Sequence, residues 1–64
     1  MKITYDKDVD ALNISLKTGQ VFKTVEMSPE VFLDLDKNGN PLYLEILGAS
    51  RKIGKNRVRV WRIK

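Results

Sequence analysis

Between Asp34 and Glu45 the chain carries oxygen-bearing side chains at a metal-binding spacing. Asp34, Asp36 and Asn38 alternate, Gly39 follows, and Glu45 closes a twelve-residue window. In a calcium-binding helix–loop–helix, oxygens in that order wrap one ion and the glycine makes the sharp turn. The flanks disagree with this chemistry. Such a loop joins two helices, whereas Val31-Phe32-Leu33 and Leu42-Tyr43-Leu44 read as strands. Pro41 also fills the eighth position, where a β-branched or leucyl side chain belongs. The window therefore predicts a plain β-hairpin, and no metal or cofactor is expected.

Asp6, Asp8 and Asp10 form a second acidic group, again at alternate positions. Clustered carboxylates can hold Mg²⁺ or move protons, but at a turn they more often cap backbone N–H groups. Nucleophilic chemistry has little to work with. Ser15, Ser28 and Ser50 have no histidine to activate them, and the chain has no cysteine. No glycine-rich phosphate loop is present. The expectation is a protein that is not an enzyme.

The remaining candidate chemistry is basic. Residues 51–64 hold seven of the twelve basic side chains and no acid, while residues 1–50 set eight carboxylates against five lysines. Arg51, Lys52, Lys55, Arg57, Arg59, Arg62 and Lys64 could meet phosphates while Trp61 stacks on an unpaired base. If about five cations did so, log affinity would fall with log salt at a slope of roughly −4 to −4.5. Two other readings stand beside this one. The tail could be a final edge strand whose arginines are solvated or pair with the acids of residues 1–50, or it could order against a protein partner.

The elements that must position these groups are strands. Period two dominates and no segment keeps a helical period for ten residues. Ile3 and Tyr5 alternate with polar neighbours, as do Leu12, Ile14 and Leu16, then Val21, Val25 and Met27, then Val31, Leu33 and Leu35, then Leu42, Leu44 and Ile46. Turn signals separate the runs at residues 6–9, 18–19, 28–30 and 38–39. The pattern predicts an all-β domain, a single antiparallel meander sheet of five to six short strands. Residues 57–63 would be the sixth strand, with Gly48 and Gly54 giving the chain freedom to return.

Two hairpins can be written in register. A two-residue type I′ turn at Asn38-Gly39 pairs Leu35 with Leu42, Leu33 with Leu44 and Val31 with Ile46. Asp34, Asp36, Tyr43 and Glu45 then point to the other face. The same arithmetic at Thr18-Gly19 pairs Leu16 with Val21 and Leu12 with Val25, and sets Lys23 on the apolar face opposite Ile14. An inward lysine guards an edge strand against aggregation, so residues 20–27 are expected near an edge. Phe22 and Phe32 fall on the second face, which suggests a cover there.

A chain of 64 residues buries only about 60% of the surface its unfolded form exposes. With no cysteine and no histidine, disulfides and zinc cannot help it. Self-association, as a homodimer, is the expected remedy. The amino terminus has no apolar signal-peptide region, and no apolar run reaches the ~18–20 residues of a membrane span. A cytoplasmic protein with no membrane partner is expected.

Residues 2–50 resemble a family of small prokaryotic proteins known only as a domain of unknown function. The resemblance rests on Ile3, Tyr5-Asp6, Asp10-Ala11-Leu12, Ile14 and Leu16 at the front. Val31, Leu33-Asp34, Asp36, Gly39, Leu44-Glu45-Ile46-Leu47 and Ala49-Ser50 complete it. It implies a compact β-domain over residues 1–50 with no established activity, and it leaves residues 51–64 as a basic strand or arm of its own. Proximity of such proteins to small basic RNase-like toxins implies an antitoxin-like role. On that reading Asp6, Asp8, Asp10, Asp34, Asp36 and Glu45 would attract a basic protein partner. The competing expectation is a nucleic-acid binder acting through the tail.

Overall fold

The structure, a computed structural model, describes residues 1–54. Five strands form one antiparallel sheet: β1 (Lys2–Asp6), β2 (Ala11–Ser15), β3 (Lys23–Ser28), β4 (Val31–Leu35) and β5 (Pro41–Leu47), followed by a short helix, α1 (Ala49–Ile53). Every strand falls where the alternation places one. The expected sixth strand, at residues 57–63, lies outside the described residues.

The strand order is β1-β2-β5-β4-β3. Neighbours in sequence pair in the β1–β2 hairpin and in the β3–β4–β5 run, but β2 pairs with β5, not with β3. The expected pairing of Leu16 with Val21 and Leu12 with Val25 is therefore overturned, and with it a meander paired consecutively throughout. Thr18-Gly19 is not a hairpin turn. Leu16 and Lys17 both donate to the Leu42 carbonyl, at 2.7 and 3.2 Å, and Phe22 donates to Leu35 at 2.8 Å. Residues 16–22 thus run along one end of the sheet, past the start of β5 and the end of β4, and reach the far edge. Gly19 lies against the Leu42 side chain. A Cβ there would meet that side chain at 3.0 Å.

The Asn38-Gly39 hairpin forms in nearly the expected register. Val31 faces Ile46 and Leu33 faces Leu44, but Leu35 faces Pro41. The cause is the turn. Gly39 donates to the Asp36 carbonyl and Asp36 donates to that of Asn40, both at 3.0 Å, which closes a three-residue loop. Only Gly39 takes a positive φ, 85°; Asn38 does not. This is the three-residue type of hairpin, not the two-residue type I′ form, and Leu42 becomes the extra residue of a bulge.

Residues directly opposite across a ladder share a face. Ile3, Ile14, Leu44, Leu33 and Val25 make one apolar row. Tyr5, Leu12, Ile46 and Val31 make the next. Helix α1 covers this second row. Ala49 packs on Leu12, both fully buried, with Ile3, Tyr5, Ile14, Ile46 and Ile53 around them. Five residues are too few to show a helical period in sequence. Glycines mark its ends, Gly48 in the left-handed region at φ 62° and Gly54 at φ 104°. Arg51 and Lys52 are thus helical, and α1 runs across the expected boundary between residues 50 and 51. The rest of the expected basic strand or arm, residues 55–64, lies outside the described residues.

Candidate functional site

The six acids singled out in sequence do not form one surface. Asp10 turns inward and ties three segments together. Its Oδ1 accepts the Tyr5 hydroxyl at 2.6 Å and the Ser50 N–H at 3.0 Å, and its Oδ2 accepts the Ser50 hydroxyl at 2.8 Å. The Asp10 carbonyl also accepts the Ala49 N–H at 3.0 Å. Asp10 holds this position with φ 55°, a left-handed conformation that aspartate tolerates better than most residues. Donation from Tyr5, then from Ser50, holds its carboxyl below the usual value, while the same bond to Asp10 pushes the Tyr5 phenol up. Asp10 is a clasp between β1, the first turn and α1.

Asp36 serves its own hairpin. Its carboxylate accepts the N–H groups of Asn38 and Asn40, both at 2.9 Å, and the Asn40 amide at 3.0 Å. Asn40 is the main cause of its lowered pKa. Asp6 accepts the Asp8 N–H at 3.0 Å and so braces the first turn, where Asp8 is exposed. The calcium-like window is a hairpin, as expected, with Asp34 and Glu45 carried apart onto strands. Among the described residues no three acidic side chains gather as metal ligands would.

Asp34 and Glu45 do share a surface, the polar face of the sheet. Across it run Thr4, Asn13, Glu45, Phe32 and Glu26 in one row. Lys2, Ser15, Tyr43, Asp34 and Thr24 form the next. Two half-buried rings, Phe32 and Tyr43, thus stand among three carboxylates. Glu26 and Glu45 flank Phe32, about 10 Å apart across two strand spacings, and Asp34 accepts the Thr24 hydroxyl at 2.6 Å. Beside them lies a shallow depression of about 390 Å³ lined by Lys2, Thr4, Asn13, Asp34 and Tyr43. Sequence reasoning missed Glu26, whose signal was present: with Val25 inward, its neighbour must point outward.

The expected cation surface divides differently. Arg51 and Lys52 reach the Glu30 carboxylate, at 3.2 and 3.6 Å. Lys55, Arg57, Arg59, Trp61, Arg62 and Lys64 lie outside the described residues. Lys23 stands opposite Leu35, not Ile14, and remains on the apolar face of an edge strand, where its charge was expected to guard the sheet. No helix among the described residues is long and apolar enough to cross a membrane.

Residues 2–50 match the family described as protein of unknown function, DUF2283. The chain belongs to this family. The match spans the whole sheet and stops inside α1, so it takes in the clasp: Tyr5, Asp10 and Ser50 all fall within it. No curated protein and no solved structure matches the chain.

Proposed function

We propose that this member of the family is a non-enzymatic protein-interaction module whose polar sheet face receives a basic partner. One observation carries the reading: Glu26, Asp34 and Glu45 surround Phe32 and Tyr43 on a face where, among the described residues, the strands bring only Lys2 as a cation. A guanidinium can stack on such rings while a neighbouring carboxylate accepts its N–H groups. An antitoxin-like role, with a small basic RNase-like protein as partner, is the most specific form of this reading. Asp10 and Asp36 leave the proposed surface because their oxygens already serve the chain's own N–H and O–H groups.

The test is capture of partners from the native host after nuclease treatment, comparing the full chain with a Glu26→Gln, Glu45→Gln double variant. Retention of a basic protein by the first and its loss by the second supports the reading, provided both melt alike. Nucleic acid through the tail is the competing reading. Its discriminating truncation belongs after Gly54, because a cut after Ser50 would remove Ile53 from the Leu12 cluster. Loss of heparin and DNA retention on that truncation, together with a steep salt dependence, would overturn the acidic-face proposal.

A further inference from the structure

The two edges of the sheet are not alike. The β3 edge carries Lys23 on the apolar face and a register break between Glu26 and Ser28, both devices that discourage strand addition. The β1 edge has neither: its five residues pair with β2 in unbroken register, and among the described residues no strand lies on its outer side.

We infer that β1 pairs with β1 of a second copy, antiparallel about a two-fold axis at Thr4, giving one continuous ten-stranded sheet. The ladder pattern makes this register available. Leu16 of the strand after Ser15 donates to Leu42, and in an antiparallel ladder successive residues serve alternate neighbours. Even-numbered positions near β2 therefore bond β5, while Asn13 and Ser15 bond their β1 partners Thr4 and Lys2. Ile3 and Tyr5 are left with N–H and C=O groups turned outward. About a two-fold at Thr4, Ile3 stands opposite the second copy's Tyr5 and Tyr5 opposite its Ile3, so the outward groups meet as hydrogen-bonded pairs.

The side chains agree with the backbone. In this register Lys2 lies opposite the second copy's Asp6, and the match occurs twice by symmetry. Both residues are exposed and both lie on the polar face. Ile3 and Tyr5 lie on the apolar face, so the apolar rows of the two copies run together. Sliding the register by two residues one way sets Lys2 opposite Thr4. The other way sets Asp6 opposite Thr4 and carries Lys2 past the end of the second copy's β1, toward Asp8 in the turn. Neither slide keeps the two Lys2–Asp6 pairs within the ladder. The occupant of this edge is therefore a second copy of the chain. The inference concerns the sheet edge and stands apart from the polar-face reading.

Sedimentation equilibrium on the full chain at micromolar concentration should find a dimer. Lys2→Glu and Asp6→Lys should each weaken it roughly tenfold, because two attractive cross-strand pairs become repulsive. An equimolar mixture of the two variants should restore the dimer, since each mixed pair again joins opposite charges. A variant that merely failed to fold would not be rescued this way. Should Asp6→Lys disturb the first turn, Asp6→Asn gives a smaller loss in the same direction and Lys2→Glu alone decides. A monomer throughout, as when another segment or protein covers the edge, would overturn the inference. So would a dimer indifferent to every one of these charges.

Discussion

The end of the sheet under α1 and the β3 edge are built from the same kind of alternating strand, yet they are held by different means. At the helical end Leu12 and Ala49 are fully buried, and the Asp10 clasp joins the first strand, the first turn and the helix by side-chain bonds. At the β3 edge only Val25 is even half-buried, and Phe22 and Met27 are 72% and 59% exposed. One region is fixed by side chains that converge from distant parts of the sequence. The other is fixed mainly by its backbone ladder to β4. Local stability should follow that division, with the slowest amide exchange in β2 and β5 and the fastest in β3.

Substitutions can break the contrast. Leu12→Ala should cost about 2–5 kcal/mol, because it opens a cavity under the helix, and in so small a domain it should unfold much of the population. Val25→Ala, at the other end of the sheet, should cost about 1 kcal/mol or less, since few of its contacts are dry. Chemical denaturation of the two variants checks the ratio. Equal losses would mean that the edge is covered as well as the centre.

Gly48→Ala should cost about 1–2 kcal/mol, because a Cβ is strained at positive φ. It would also drive the Arg51 guanidinium off the Gly48 backbone. Glu30→Gln removes only the exposed pairs to Arg51 and Lys52 and should cost less than about 1 kcal/mol. If thermal melts reverse that order, the ion pairs and not the turn geometry set the helix in place.

The clasp predicts a pH dependence whose sign follows from its bonds. The folded carboxyl of Asp10 titrates below its ordinary 3.8, so its contribution is complete above that value and is lost as pH falls through the depressed folded value. The raised Tyr5 phenol behaves oppositely. Its contribution is complete below 10.0 and is lost as pH climbs through the elevated folded value. Asp10→Asn should flatten the acid limb of an unfolding titration while leaving the part due to Asp36, whose carboxyl is also lowered. An unchanged acid limb would show that the clasp does not couple folding to protonation.

The strands and the apolar layer were legible because alternation depends only on neighbours: Ile14, Leu33 and Leu44 face inward whichever strands they meet. The partner of β2 was not legible. Thr18-Gly19 carries the letters of a tight turn, and nothing local separates a turn from a segment that passes along the sheet end. The helix was hidden by its length, although Gly48 and Gly54 bracket it as helix-ending glycines often do. The candidate surface was half legible. Asp34 and Glu45 follow from strand parity, but Asp10 and Asp36 take their roles from donors at Ser50 and Asn40, and side-chain direction at a turn has no period to reveal it.

The β2–β5 seam has a consequence for how the molecule is made. Ile14 meets Leu44, thirty positions later, whereas β1–β2 and β3–β4–β5 are built from contacts between successive strands. During synthesis the β1–β2 and β3–β4 hairpins can assemble as they leave the ribosome, but β5 and the middle of the sheet that it joins come later. Joining them closes a long loop late, so the rate of folding should be set at that join and the nascent chain should show bare ribbon edges until β5 has emerged.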